Sequence, residues 1–177
     1  MNMAATPRIE TRKIILSRVN KENSERVIGL SVRDDQKEFV ETSAVAHLRA
    51  LYQGWKTRIF QFETEEYYHG SILGCATFVY YPDRKSVKIM HFMIDAFYQG
   101  FGHGKTCFKL LIAYIKRRYK HATEIYLLVD KTNTIAIKLY KKQGFKISDG
   151  FLNGQLIMIP PELIRFSLRI HHNNKKK

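Results

Sequence analysis

The residues Gln99-Gly100-Phe101-Gly102-His103-Gly104-Lys105 carry the clearest chemical signal in the chain. They lie between an apolar run ending at Ile94 and a helical pattern that begins near Thr106. Glycines where a strand turns into a helix let the backbone approach a ligand with no Cβ in the way. The free N–H groups of the helix start, added to the positive end of its dipole, make a socket for a phosphate or pyrophosphate. The chemistry this predicts is the grip of a phosphorylated cofactor.

Three glycine patterns compete for the segment. A dinucleotide fingerprint, G-x-G-x-x-G, would need its third glycine where Lys105 stands. A Walker A loop fits Gly104-Lys105-Thr106, and Ile125–Val129 followed by Asp130 looks like its metal-binding strand, but its first glycine falls on Gln99. A start there also leaves only 79 residues for a fold that needs several parallel strands. The third pattern, Q/R-x-x-G-x-G/A, is met in full by Gln99, Gly102 and Gly104. It is followed, 28 residues past Lys105, by Asn133-x-x-Ala136-x-x-Leu139-Tyr140-x-x-x-Gly144-Phe145. With both motifs in this order, the chain resembles the GNAT superfamily of N-acetyltransferases.

The resemblance implies acetyl-CoA as co-substrate, no metal, and transfer of an acetyl group to a primary amine. Gln99, Gly100, Phe101, Gly102, His103, Gly104 and Lys105 would hold the pyrophosphate. Phe92, Met93 and Ile94 on the strand before the loop would offer backbone groups to the pantetheine arm and thioester oxygen. Asn133 would contact the cofactor or cap its helix. Tyr140 matches the family's general acid, which protonates the departing sulfur. A free Tyr is a weaker acid than a thiol, so full transfer is uphill by ~2 kcal/mol. Either Lys141 and Lys142 lower the Tyr140 pKa, or Tyr140 mainly hydrogen-bonds the thiolate.

The base is the open position. Relatives often carry an acidic residue where this chain has Met90, which cannot accept a proton. His91 has a suitable unperturbed pKa, but strand alternation sends it to the opposite face from Met90 unless a bulge intervenes. His91, Glu63 and a water chain all remain candidates, beside a purely structural histidine.

The similarity sharpens toward bacterial spermine/spermidine acetyltransferases. They share Gln36-x-x-Phe39-Val40, Met93-Ile94-Asp95 with Tyr98-Gln99-Gly100, and the Asn133 to Phe145 helix, over roughly residues 14 to 159. A polyamine such as spermidine or spermine is therefore the expected acceptor. The alternatives are a protein amine (an N-terminus or a lysine) and a non-catalytic acyl-CoA-binding module. Asp34, Asp35, Glu38 and Glu41, most of them on one helical face, with Glu63, Glu65 and Glu66 on the next hairpin, would make an anionic acceptor wall. Solvated acidic faces would look the same.

The elements that must position these groups follow from periodicity. Residues 1–12 read as a loose leader, 13–160 as one domain, and 161–177 as an extension with a basic tail. Ile14–Val19 reads as a first strand, with Asn23 or Ser24 capping a helix after it. A helical pattern covers Arg33 to Gln53, broken near Thr42-Ser43. Arg58–Glu63, Ile72–Tyr81 and Ser86–Ile94 read as strands, with turns at Gly70-Ser71 and Pro82-Asp83. A helix from about Gly102 to Lys120 buries Phe108, Leu111, Ile112 and Ile115. A buried strand Glu124–Val129, a helix Thr134–Gln143, and strands at Phe145–Ile147 and Gln155–Ile159 complete the chain. The order β-α-α-β-β-β-α-β-α-β-β is that of the GNAT fold. It predicts an α/β protein with a central, twisted, mostly antiparallel mixed sheet flanked by helices.

Composition bounds the rest. The chain has 177 residues, 45% of them hydrophobic, enough for one full core. Its net charge of +14 is uneven. Residues 1–90 hold 14 basic and 11 acidic groups, while residues 91–177 hold 16 and 5. The basic half is the half with the phosphate loop, as suits a polyanionic cofactor. Nucleic acid is a less favoured partner, because basic balance alone is poor evidence for it. Cys75 and Cys107 sit in apolar surroundings without metal-ligand spacing. No run resembles a signal peptide or a membrane span, so a cytoplasmic location is expected, with homodimerisation left open.

Overall fold

The structure, a computed structural model, describes residues 9–10, 14–52, 57–64 and 70–160. Aromatic and β-branched runs form the middle of its sheet: β3 (Thr57–Thr64), β4 (Ser71–Tyr81), β5 (Ser86–Ile94) and β6 (Glu124–Val129). β1 (Ile9–Glu10) and β2 (Ile14–Arg18) extend one side, and β7 (Lys146–Leu152) and β8 (Gln155–Ile159) the other. The strands make one sheet in the order β1-β2-β3-β4-β5-β6-β8-β7. Every pair is antiparallel except β5 with β6. That parallel step is made by α3 (His103–Arg118), which crosses over between them.

Strand alternation sorts the core into two layers. Ala76, Phe78, Ile89 and Ile94 pack with Phe108, Leu111 and Ile115 of α3 on one face. Cys75 and Met93 point the other way, toward Val27 of α1 (Ser24–Ile28) and Val32. α2 (Ser43–Tyr52) covers the same second face, where the Ser43 hydroxyl meets Cys75 Sγ at 3.5 Å. Phe108 is the hinge of the first layer: its ring lies 5.2 Å from Phe92, 4.9 Å from Tyr140 and 5.3 Å from Phe145.

The expected element order holds, and the differences have local causes. The helix expected from Arg33 begins only at Ser43; Asp34–Gln36 is a single 3-10 turn. Asp and Asn side chains compete with helical backbone bonding, and here Asp34 is tied to the Lys37 amine at 2.6 Å. Asn23 stands at the start of α1 but makes no capping bond; its amide reaches back to the Arg18 carbonyl instead, at 3.2 Å. Within the stretch expected to be a loose leader, Ile9–Glu10 pairs with Ile15 and Leu16. The last hairpin is longer than its pattern suggested, because Asn153-Gly154 turns it tightly with both residues at positive φ, 53° and 78°. Glu65, Glu66 and the tail from residue 161 lie outside the described residues.

Candidate active site

The site begins where two parallel strands part. Ser86–Ile89 of β5 pairs with Glu124–Leu127 of β6, and there the ladder stops. β6 turns to β8, with which it pairs through Leu127–Val129, so among the described residues the outer edge of Met90–Ile94 has no neighbouring strand. Opposite, β4 pairs Thr77 with His91 and Phe78 with Ile89, which leaves Met90 as a bulged residue. The bulge shifts the alternation by one: Ile89 and Ile94 face α3, while Met93 faces α1. A cavity of about 920 Å³ runs through the gap, lined by Val32, Gln36 and Val40 on one side and by Ala136, Leu139 and Tyr140 on the other.

At the gap's open end the glycine loop takes the backbone that the sequence demanded. Gly100 and Gly102 sit at φ 90° and 85°, the left-handed region that favours glycine. Gly102 precedes α3 without a side-chain cap, and the helix has no acidic residue in its first turn. Its positive end is thus free for an anion. Gly100, Gly102, Gly104 and Lys105 line the cavity. Phe101, 70% exposed, and His103 are not among its lining residues, so of the loop these two expected contacts are not brought to the cavity. Gln99 lines it but spends its side chain on the loop itself. Its amide donates to the Ile94 carbonyl at 2.8 Å and accepts from Gln36 Nε2 at 2.8 Å.

Asn133 and Tyr140 enter from α4 (Thr134–Lys142). Asn133 caps this helix, its Oδ1 accepting from Ala136 N–H at 3.0 Å, while still lining the cavity. The other helix end explains the Tyr-x-x-x-Gly-Phe spacing. Gly144 at φ 87° donates to the Lys141 carbonyl at 2.9 Å, and Phe145 N–H to the Tyr140 carbonyl at 3.0 Å. This paired closure satisfies the last carbonyls of a helix and needs glycine at its left-handed position. It also brings Phe145 back beside Tyr140, ring centroids 6.5 Å apart. Phe92, Met93 and Ile94, Tyr140 and His91 all line the same cavity as the loop.

Residues 29–145 match the family model described as Acetyltransferase (GNAT) family. The chain belongs to the GNAT family of acetyltransferases. It is 29% identical over 153 residues to the spermine/spermidine N(1)-acetyltransferase of Bacillus subtilis (strain 168), covering 82% of this chain and 97% of that protein. The crystal structure of spermidine N-acetyltransferase from Vibrio cholerae in complex with CoA and spermine shares the fold, with a TM-score of 0.64, 18% identity, and coverage of 84% and 94%. So does the ribosomal L7/L12 alpha-N-protein acetyltransferase RimL in complex with coenzyme A, with a TM-score of 0.64, 13% identity, and coverage of 86% and 96%.

The acetyltransferase keeps Tyr140 buried, and burial pushes its phenol well above the usual range. Lys141 and Lys142 are exposed and do not lower it, which corrects one of the two expectations for this residue. The phenol stays protonated and able to donate a hydrogen bond. His91 is also buried, and burial together with the charge of His47 pulls its pKa down to about 4. It is neutral at neutral pH. The sign of its effect on folding follows: the unfolded chain binds a proton near pH 6.5 that the folded state refuses. Stability is thus full above pH 6.5 and falls between pH 6.5 and 4, by roughly 3 kcal/mol. Urea unfolding of wild type and His91→Leu across this range should show that acid-side loss only in the wild type.

Two further expectations need correction. Glu63 accepts from the Ser17 hydroxyl and the Gln61 amide on β3 and does not line the cavity, so its geometry does not suit a base. The anionic wall shrinks as well. With no helix at 34–41, Asp34, Asp35 and Glu38 are exposed and away from the cavity, and of that group only Glu41 lines it. Sequence reasoning missed His47, a buried α2 residue with no motif around it. It also missed Arg33, whose guanidinium donates to the Gln99 carbonyl at 3.5 Å.

Proposed function

We propose that this acetyltransferase moves an acetyl group from acetyl-CoA to a primary amine, with a polyamine such as spermidine or spermine as acceptor. The observation that carries the reading is the parted β5–β6 pair. Its backbone edge at Met90–Ile94, which has no strand partner among the described residues, lines one cavity with an uncapped, acid-free helix start and with residues of the segment between α1 and α2. Those residues fit a pyrophosphate-bearing thioester. Acetyl-CoA would supply the activated acetyl group. Gly100, Gly102, Gly104 and Lys105 hold the pyrophosphate, with Lys138 and Lys142 on the same cavity as further cations. The free edge of Phe92–Ile94 orients the arm and offers N–H groups toward developing oxyanion charge. Tyr140 donates a hydrogen bond to the departing sulfur, and His91, on the same cavity, is the candidate acceptor of the amine proton, a weak base because burial pulls its pKa down to about 4. The similarity to the Bacillus subtilis polyamine enzyme supports the acceptor class, and Glu41 offers one carboxylate to a cationic chain.

Release of free coenzyme A should be measured with spermidine, spermine, and peptides bearing a free N-terminus or a lysine. The highest kcat/KM is expected with a polyamine. A higher value with a peptide would move the acceptor to protein amines, and no release with any amine would overturn the proposal.

Gly104→Ala tests the cofactor half separately. A Cβ there would meet Ile94 Cγ1 at 3.6 Å and Leu139 Cδ2 at 3.7 Å, ordinary contacts, so the fold accepts it. Inside a helix the change also removes the entropic cost of glycine, about 1 kcal/mol. The expected result is an unchanged or higher Tm with affinity for acetyl-CoA within about threefold of wild type, because the Q/R-x-x-G-x-G/A pattern admits alanine at this position. A loss of about tenfold or more would show that the added methyl enters the socket.

A further inference from the structure

The run Met93-Ile94-Asp95 contains one residue that the proposed chemistry has not used. Asp95 is buried, yet it does not line the cavity, and among the described residues it has no ion pair. A carboxylate taken out of water is costly unless hydrogen bonds hold it. Here both oxygens have a backbone donor. Oδ1 accepts from Phe97 N–H at 3.1 Å and caps the 3-10 turn Ala96–Tyr98, while Oδ2 accepts from Ser31 N–H at 3.0 Å. The backbone doubles the second contact, since Ala96 N–H donates to the Ser31 carbonyl at 2.7 Å. The Asp95 N–H donates to the Leu73 carbonyl of β4 at 2.8 Å. One residue at the end of β5 is thus tied to β4, to the turn that enters the glycine loop, and to the segment that leaves α1.

That segment needs such ties. Residues 32–41 contain one 3-10 turn, Asp34–Gln36, and no helix or strand, so no ladder of backbone bonds decides where this wall of the cavity stands. Two of its bonds to the loop, from Arg33 at 3.5 Å and from Gln36 at 2.8 Å, end on Gln99. Gln99 in turn follows the turn that Asp95 starts, in which Tyr98 N–H donates to the Asp95 carbonyl at 2.9 Å. The wall therefore meets the loop directly at Asp95, and again through a residue that Asp95 places. Val32, next to Ser31, and Gly100, next to Gln99, both line the cavity.

We propose, resting on the reading of this cavity as the acetyl-transfer site, that Asp95 is a positioning residue that holds the cofactor loop with one oxygen and the amine-facing wall with the other. Oδ1 fixes the turn before Gly100 and Gly102, the glycines of the pyrophosphate socket. Oδ2 fixes Ser31, from which the chain runs through Val32 and Gln36 to Glu41, the carboxylate offered to a cationic acceptor. Because the two oxygens serve different surfaces, the two substrates should respond separately when the oxygens are removed separately. A carboxylate that only stabilised the fold would show no such division.

Two variants of the full chain make the separation. Asp95→Ala removes both acceptors. Asp95→Ser keeps a single oxygen, which suits the cap on Phe97 N–H and leaves Ser31 N–H without its partner. In Asp95→Ala, the calorimetric Kd for coenzyme A and the KM for spermidine should both rise about tenfold or more. In Asp95→Ser only the KM for spermidine should rise, with the Kd for coenzyme A within about threefold of wild type. This variant also serves if Asp95→Ala does not fold. Amide hydrogen exchange reads the contacts without turnover. Ser31 N–H should exchange about tenfold faster in both variants and Phe97 N–H only in Asp95→Ala, while Phe108 and Leu111 in α3 keep their wild-type rates. Unchanged exchange at Ser31 in both variants would overturn the proposal. So would altered exchange with Kd and KM at wild-type values, or faster exchange throughout α3, the marks of a merely structural carboxylate. If the wild type releases no coenzyme A with any amine, the acetyl-transfer reading falls, while exchange and the Kd for coenzyme A still decide the hold of Asp95 on the loop.

Discussion

Tyr140→Phe is expected to lower kcat about 100-fold while leaving KM for acetyl-CoA nearly unchanged. The substitution removes only a hydroxyl; the ring contacts to Phe108 and Phe145 at 4.9 Å and 6.5 Å remain, so the core and the helix end should hold. What is lost is a hydrogen-bond donor in a dry setting, where it acts on the charge that develops on sulfur. Burial holds the phenol above its usual pKa, so complete proton transfer to a thiolate is even less favourable than for a free tyrosine. The donor role is what the variant tests. Steady-state kinetics with a thiol-reactive dye reads kcat, and circular dichroism verifies the fold. An unchanged kcat would show that sulfur leaves without help from Tyr140.

Gly74→Ala should damage the fold severely for a single added methyl. A Cβ at Gly74 would stand 2.1 Å from the Met93 carbonyl oxygen and 2.9 Å from the Ile94 Cα. Both are backbone atoms of the adjoining strand, so no side chain can swing aside. The strands must separate, at a cost of about 3 kcal/mol or more. For a chain of this size that corresponds to a fall in Tm of roughly 10 °C. The strand pushed away carries the Met93–Ile94 edge assigned to the cofactor, so residual folded protein should also bind acetyl-CoA poorly. Gly29→Ala is the control, since nothing lies within 4 Å of its added Cβ and Tm should barely move.

The most legible parts of this molecule were those where one local rule decided the outcome. Ser86–Ile94, Glu124–Val129 and Gln155–Ile159 are strands with the boundaries their composition indicates, because each is bracketed by turn residues. The glycine loop was legible for the same reason: Gly100 and Gly102 are needed at positive φ whatever packs around them. Arg33–Glu41 failed because its fate is tertiary. Gln36 is engaged with Gln99, and Phe39 and Val40 line the cavity, contacts that no periodicity can report. The acidic wall failed with it, since a charge pattern means a face only if the helix exists. The Met90 bulge was foreseen as a condition rather than a fact, because a bulge is a property of strand register and register belongs to two strands at once. His47 was invisible for a related reason: what marks it is a buried Nε2 without a hydrogen-bond partner, which only the packing around it reveals.

The hydrogen bond between Gln36 and Gln99 has a consequence for how the two substrates meet. It is a short link between the Val32–Val40 wall of the cavity and the glycine loop, the two surfaces proposed above to meet the amine and the cofactor. Ordering of the loop by a bound cofactor would reach that wall through this bond. Binding free energies are reciprocal, so the amine must change the grip on the cofactor by the same factor that the cofactor changes the grip on the amine. Whatever coupling this link carries between the proposed cofactor and amine surfaces is therefore equal in both directions, within one small domain.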